Sequence, residues 1–187
     1  MRKIIYAQLV SLDGFIEGPD GKIDGTKPVE ELHRHFNDLE KNLDINFYGR
    51  GMSEVMDFWL TADQNPDLKD HELEYARLWK DTERIVFSKT LDKVEGKAQI
   101  RREVDPDEII KLKKQPGKDM AVGGAGLAST FIKHGLVDEF RLYIHPVIVG
   151  GGKPMFPVNE KVNLKLVETR TFSGDVVMLK YHQEKQE

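Results

Sequence analysis

The segment Asp119–Gly135 reads DMAVGGAGLASTFIKHG and combines a strand, a turn and a helix signal. Its first apolar residues, Met120 to Val122, form a run too short for a helix, as in a buried strand. Glycines at positions 123, 124 and 126 allow a sharp turn. Leu127 and Phe131 are then one helical turn apart, and Gly135 is placed to end the helix. The sequence therefore predicts a strand, a glycine turn and a helix in succession.

This turn also suggests a ligand site. The first N–H groups of a helix, here Ala125–Ala128, lack helical partners and can bind a phosphate. Tight packing of the helix on the sheet would equally explain the glycines. The segment is not a Rossmann fingerprint, because Ser129 stands where a third Gly or Ala is needed. No glycine–lysine pair completes a P-loop.

Composition limits the class of protein. The 187 residues fit one domain, taken as 1–187, and a net charge of −4 argues against a nucleic-acid surface. The absence of cysteine excludes disulfides and suits a reducing compartment, so we expect a cytoplasmic location. No apolar run is long enough to span a membrane. We therefore expect neither a nucleic-acid nor a membrane partner.

Two other strand ends carry groups suited to phosphate. The strand Ile45–Tyr48 runs into Gly49-Arg50-Gly51, and Arg can bond two phosphate oxygens at once. The strand Thr82–Ser88 runs into Ser88-Lys89-Thr90, where donors also collect. A surface arginine in a tight turn and a simple polar turn are the respective alternatives. Both ends resemble the glycine turn at 123–126 in position, since each follows a buried strand.

The remaining pattern sets the fold class. Lys3–Leu12 is a nearly continuous apolar run, typical of a central strand, and Asp13-Gly14 breaks it. A helix from Pro28 has a clear apolar face, with His33 and His35 on its flanks, where solvated or half-buried histidines are the common case. After residue 135 only alternating strands follow: Glu139–Val149, Leu164–Arg170 and Val176–Tyr181. This order predicts an α/β fold with a mainly parallel sheet and antiparallel C-terminal strands.

Seven short motifs, in this order, resemble the dihydrofolate-reductase-like superfamily. The nearer resemblance is to the reductase domain of the bifunctional riboflavin-biosynthesis deaminase/reductase and its free-standing relatives. The motifs are Ser11–Gly14, Gly49-Arg50, Ser88–Leu91, Gly123–Leu127, Leu136–Phe140, His145-Pro146 and Gly150–Phe156.

The resemblance implies a dihydrofolate-reductase-like three-layer fold, with an eight-stranded mixed sheet and helices on both faces. It also implies an NADPH-dependent oxidoreductase that transfers a hydride to a C=N or C=O of a small heterocyclic or sugar-like substrate, similar to 5-amino-6-ribosylaminouracil phosphate reductase. By position, the residues implied to bind the cofactor are Gly49, Arg50, Gly51, Gly123, Gly124, Ala125, Gly126 and Leu127 at the pyrophosphate, Ser88 and Lys89 at the 2′-phosphate, and Leu9, Asp13 and Ile16 at the nicotinamide.

Two departures from the family narrow the prediction. The zinc-binding deaminase half is absent, and the chain has no cysteine, so we expect no metal site. Dihydrofolate reductases hold the pterin with an acid on the first long helix. Here Glu30, Glu31 and Asp38 lie off the apolar face, which disfavours folate. A dihydrofolate reductase is therefore an alternative only.

Three residues are hypotheses for the chemistry. Asp13 is a candidate polar anchor and proton source, with solvent and a plain Asp-Gly turn as alternatives. Trp59 and Phe156 are candidates for an apolar wall against a flat substrate, with core packing as the alternative.

Two further functions remain open. The chain could bind a nucleotide or small molecule without turnover. It could also be a dimer module, because Glu139–Val149 is long enough for a two-fold interface, and we expect a homodimer.

Overall fold

The computed structural model describes residues 1–22 and 28–184, in which strands and helices are interspersed as far as residue 145 and only strands follow. Two short 3-10 turns, Asp57–Leu60 and Ala62–Gln64, connect the second helix to the third. The elements are β1 (Ile4–Ser11), β2 (Phe15–Glu17), α1 (Glu30–Lys41), β3 (Leu43–Gly49), α2 (Arg50–Met56), α3 (Asp70–Asp81), β4 (Glu83–Phe87), β5 (Ala98–Arg101), α4 (Pro106–Lys114), β6 (Asp119–Gly123), α5 (Ala125–Lys133), β7 (Glu139–His145), β8 (Lys153–Pro154), β9 (Leu164–Phe172) and β10 (Val176–Gln183).

The main sheet has eight strands in the order β5-β4-β3-β6-β1-β7-β10-β9. The six strands from β5 to β7 pair in parallel, whereas β10 runs antiparallel to both β7 and β9. The prediction of a mainly parallel sheet with antiparallel C-terminal strands is confirmed. A separate hairpin-like pair, β2 with β8, lies next to the end of β1.

Helices cover both faces of the sheet and complete three layers, as the resemblance implies. On one face, Ile109 of α4 and Phe131 of α5 pack on Tyr6 and Phe47. On the other, Leu32 of α1 packs with strand residues of β7 and β10, and α3 lies beside α1. Alternate residues of each strand point to opposite faces, so each buried strand contributes to both cores. Burial on both faces explains the nearly continuous apolar runs of the central strands.

The prediction for Glu139–Val149 is wrong in two respects. The strand ends at His145, because Pro146 has no N–H for a ladder hydrogen bond; Ile148 beyond it is 71% exposed. In addition, β7 lies between β1 and β10 and is hydrogen-bonded on both sides. It therefore has no free edge, which excludes a dimer formed by edge-to-edge pairing of this strand across a two-fold axis.

Within the described residues, no helix is both long and apolar enough to cross a membrane.

Candidate functional site

The carboxyl ends of four adjacent parallel strands, β4, β3, β6 and β1, lie along one edge of the sheet. Arg50 and Gly124 directly follow β3 and β6, and Lys89 follows β4 after one intervening residue, Ser88. Arg50 Nη1 donates to Thr90 Oγ1 over 3.1 Å, which joins the turn after β3 to the turn after β4. A Cβ added at Gly49 would lie 3.8 Å from the Cβ of Leu127. The helix start after β6 therefore lies beside the turn after β3. The three predicted loops thus share one rim.

Gly123 and Gly124 are required by the packing of this rim. A Cβ at Gly123 would lie 2.8 Å from the ring of Tyr48, and Gly124 has a φ of +87° with Met52 close by. The first helical hydrogen bond of α5 runs from the Ala128 N–H to the Gly124 carbonyl. The N–H groups before it point out of the helix start. The turn therefore presents backbone donors at the rim and leaves little space beneath them.

At position 126, by contrast, neither packing nor backbone conformation requires a glycine. It lies in the first turn of α5, a Cβ there would meet no heavy atom within 4 Å, and its φ is not positive. Glycine in a helix is less favourable than alanine by about 1 kcal/mol. Gly51, in α2, is equally open. Two glycines that neither packing nor backbone conformation requires leave an open cradle, and this cradle fits a phosphate that approaches the backbone closely.

The turn after β4 is fixed by hydrogen bonds rather than by burial. The Ser88 hydroxyl accepts from the N–H groups of Thr90 and Leu91, at 3.3 and 3.0 Å. Arg102 Nη1 donates to the carbonyls of Ser88 and Leu91. Lys89 is left exposed at the top of this turn. Arg102 is a residue that sequence reasoning did not assign, and its role is to hold the loop that carries Lys89.

A cavity of about 500 Å³ opens directly beside the rim, on the face covered by α1 and α3. Its floor includes Ala7 and Ala121, which are only half-buried although they lie in central strands. The ring of Trp59 forms part of its wall and lies edge-on to Tyr75, with ring centroids 4.8 Å apart. The predicted site residues that line this cavity are Leu9, Ile16, Gly51, Trp59, Gly123 and Gly124.

Trp59 and Phe156, the two candidates for an apolar wall, do not line the same cavity. The ring of Phe156 packs edge-on against Tyr6 at 5.9 Å and lies 6.1 Å from Phe140. Tyr6 belongs to the core beneath α4 and α5, whereas Leu9 lines the cavity on the other face. The structure therefore packs the partly buried Phe156 against the core, in line with the alternative given for it above, and not on the cavity wall.

The Asp13 side chain is hydrogen-bonded to the backbone of the loop that follows β7. Its carboxylate accepts from the N–H groups of Val149 and Gly150, at 3.2 and 2.8 Å. A hydrogen bond with the Ser11 hydroxyl, together with these backbone donors, holds the pKa of Asp13 below its usual value. An ionised carboxylate accepts hydrogen bonds and has no proton to give near neutral pH. This arrangement argues against Asp13 as the proton source and assigns it to the anchoring of the glycine loop at 150–152.

Glu40 is a cavity residue that sequence reasoning missed. It is only 6% exposed, and its Oε1 accepts from Asn46 Nδ2 over 2.8 Å. Burial raises the pKa of this carboxyl above its ordinary value of 4.5. A signal was present, since Glu40 follows Phe36 by four residues and so shares the apolar face of α1. Glu40 thus places an acid of the first long helix at the cavity, which removes the reason given above for disfavouring folate.

Glu40→Gln should change the pH dependence of stability. Because the folded state raises the pKa of Glu40, its contribution to stability is complete below about pH 4.5 and is lost as the pH rises through the folded-state value. The amide keeps an acceptor for Asn46 without the cost of burying a charge. We therefore expect the variant to gain in unfolding free energy relative to the parent as the pH rises from 5 to 8, measured by urea denaturation. If the difference in unfolding free energy between variant and parent were the same at pH 5 and pH 8, the raised pKa of Glu40 would be contradicted.

His33 is more buried than the sequence suggests, at 8% exposed. Its ring lies edge-on to His71 at 4.9 Å and to Trp59 at 6.0 Å, and it lines the cavity. Burial lowers the pKa of His33, so the imidazole is neutral near pH 7. His35 points elsewhere, with its Nε2 3.0 Å from the Tyr143 hydroxyl. The two histidines serve different environments and do not form a shared ligand pair.

Comparison with known proteins agrees with this architecture. The family model of the RibD C-terminal domain matches residues 2–178. The uncharacterized protein YyaP of Bacillus subtilis (strain 168) is 42% identical over 183 residues, which are 97% of this chain and 95% of YyaP.

Two solved structures share the fold at low sequence identity. The deaminase/reductase of Thermotoga maritima superposes with a TM-score of 0.69 at 15% identity, over 97% of this chain and 56% of that one. A dihydrofolate reductase of Enterococcus faecalis complexed with NADP(H) superposes with a TM-score of 0.62 at 15% identity, over 98% and 97% of the two chains. With its dihydrofolate-reductase-like fold and its match to the family model over nearly the whole chain, this protein belongs to the RibD C-terminal domain family.

Proposed function

We propose that this chain is an NADPH-dependent reductase that transfers a hydride to a C=N or C=O carbon of a small substrate. The observation that carries the proposal is that one cavity and one rim share residues. Gly51, Gly123 and Gly124 line the cavity and also belong to the two glycine turns with outward backbone donors. A molecule bound along the rim would therefore reach the cavity, as hydride transfer between two bound partners requires. Membership of a reductase-domain family supports the same reaction class.

The residues at the rim fit the parts of the dinucleotide. Arg50 and the start of α5 would hold the pyrophosphate, because both offer donors to phosphate oxygens. Ser88 and Lys89 would meet the 2′-phosphate, and Leu9 and Ile16 would frame the nicotinamide at the cavity. When bound, the dinucleotide supplies the hydride. The protein's own residues orient the two partners and exclude water. Since Asp13 is ionised and occupied by backbone donors, we assign the accompanying proton to solvent.

Arg50→Ala should weaken NADPH binding by about 10- to 100-fold, equivalent to 1.5–3 kcal/mol for a lost hydrogen bond to a charged group. Isothermal titration calorimetry measures this directly. Arg34→Ala is the matched control, since Arg34 is also exposed and pairs with a glutamate four residues away, as Arg50 does with Glu54. Equal affinities for the parent and the Arg50 variant would remove Arg50 from the site. NADPH binding without oxidation by any of a panel of pterins, pyrimidine ribosides and quinones would favour the non-catalytic alternative.

We also propose that the protein acts in the cytoplasm as a homodimer. The lack of cysteine supports a reducing compartment, and two-fold dimers are the commonest oligomers. Light scattering measures the molecular mass in solution and so tests whether the protein is a homodimer.

A further inference from the structure

The side-chain charges of the cavity, away from the glycine turns of the rim, are unsuited to a phosphate. Among the described residues that line it, Lys153 is the one with a permanent positive charge, and its Nζ is already paired with Glu17 Oε1 at 3.0 Å. Glu17 and Glu40 are acids in the same lining. Phosphate sites in proteins are built from Arg and Lys donors, and a charge that is buried without such partners is strongly disfavoured. Among the described residues of this lining, a phosphate would meet carboxyl groups and one lysine that is already paired.

The shape of the cavity suits a flat molecule. Ala7 and Ala121 expose small side chains of two sheet strands, and the glycine at 123 adds no side chain at all, so the floor is shallow and even. The ring of Trp59 is supported edge-on by Tyr75 and by the neutral imidazole of His33. Most of the lining is apolar, with Met52, Met56 and Phe36 among its members. Aromatic walls over a smooth floor are the usual means of holding a planar ring.

The polar atoms available in this lining are largely neutral. The amide of Gln8 and the imidazole of His33 provide donors and acceptors without a fixed charge, whereas Asn46 Nδ2 is already bonded to Glu40. Such groups recognise carbonyl and ring-nitrogen atoms. The cavity thus combines apolar area with a few neutral hydrogen-bonding groups.

We infer that the substrate of this site is an uncharged, planar, conjugated carbonyl or imine compound that carries no phosphate group. The inference rests on the proposed reductase function and specifies its substrate class. It separates this chain from the Thermotoga maritima protein, whose name gives its reductase substrate a phosphoribosyl group. A carbon of a C=O or C=N bond in such a ring is also a hydride acceptor, so the class suits the proposed chemistry.

A matched pair of ligands tests the inference. Riboflavin and riboflavin 5′-phosphate share one planar ring system and differ in the phosphate, and menadione is a smaller neutral quinone. With the rim saturated by NADP⁺, we expect riboflavin and menadione to bind in calorimetric titrations, and the phosphate ester to bind at least about tenfold more weakly than riboflavin, because its charge must lose water without gaining a basic side-chain partner. Ala121→Leu, which fills the floor, should abolish binding of both neutral ligands. If that variant does not fold, Trp59→Ala should weaken both instead.

A gain of charge provides the complementary test. Val55 lines the cavity and is 62% exposed, so Val55→Lys should be tolerated and should narrow the difference between the two flavins. Ile110→Lys, on α4 at the other face, is the matched control and should leave the difference unchanged. Tighter or equal binding of the phosphate ester by the parent protein, or binding of neither neutral ligand, would overturn the inference. NADPH affinity is measured separately, so failure of the reductase proposal remains distinguishable from failure of this one.

Discussion

Gly126→Ala should weaken NADPH binding by about 100-fold, or roughly 3 kcal/mol, and at the same time stabilise the protein. The added methyl would occupy the open cradle at the start of α5, where it would hold the pyrophosphate away from the backbone donors. In the absence of ligand the methyl meets nothing within 4 Å. Alanine is the better helix former by about 1 kcal/mol, so the free variant should unfold at a higher temperature. Titration calorimetry and thermal denaturation measure the two effects independently.

The opposite pattern is expected at the other end of the same helix. Gly135 has a φ of +64°, a conformation that alanine adopts only with strain. Gly135→Ala should therefore lower the melting temperature and leave NADPH affinity unchanged. A Gly126→Ala protein that binds NADPH as tightly as the parent would show that the open space at Gly126 has no part in cofactor binding.

Gly152→Ala should destabilise the protein by about 3 kcal/mol or more, among the larger effects of a single substitution. A Cβ at this position would lie 2.1 Å from the Glu17 carbonyl oxygen and 2.7 Å from the carbonyl carbon of Gly18. Both are backbone atoms, so no side-chain rotation relieves the contact. The residue also has a φ of +121°. The β2–β8 pair that borders the cavity cannot form without displacement.

Gly151→Ala separates the steric clash from the backbone strain. Gly151 also has a positive φ, of 152°, but its added Cβ would meet only a side-chain atom of Pro19, at 3.8 Å. The strain is thus common to both variants, and the excess destabilisation of Gly152→Ala in urea denaturation reports the clash with β2. Equal unfolding free energies for the two variants would mean that the loop does not pack against Glu17 as described.

The sheet could be predicted from the sequence because its central strands carry their own signal. Ile4, Ile5 and Tyr6 are buried, and an uninterrupted apolar run of this kind has few other structural solutions. The three strand ends followed from the glycine and polar residues that come directly after such runs. Their convergence on one rim depends on the strand order, in which β6 is inserted between β3 and β1. No local pattern specifies that order.

The cavity could not be predicted from the sequence, because it forms where small side chains on the sheet are not covered by a helix. Ala7 and Ala121 resemble ordinary strand residues in the sequence, and only their neighbours across the sheet show that they are uncovered. Phe156 was placed near the site by its motif, but the loop before it turns its ring to the opposite face of the sheet. Glu40 was missed because a single acid on an apolar helix face is normally exposed. Its partner Asn46 lies on the following strand.

A crystal structure of the protein grown with NADPH is the most direct measurement of the central claim, that the loops of one rim bind one dinucleotide. We expect density for the pyrophosphate between Arg50 and the start of α5, for the adenosine phosphate at Ser88 and Lys89, and for the nicotinamide at Leu9, where the cavity begins. Density for NADPH on another surface, or a rim that stays empty at saturating NADPH, would contradict the account.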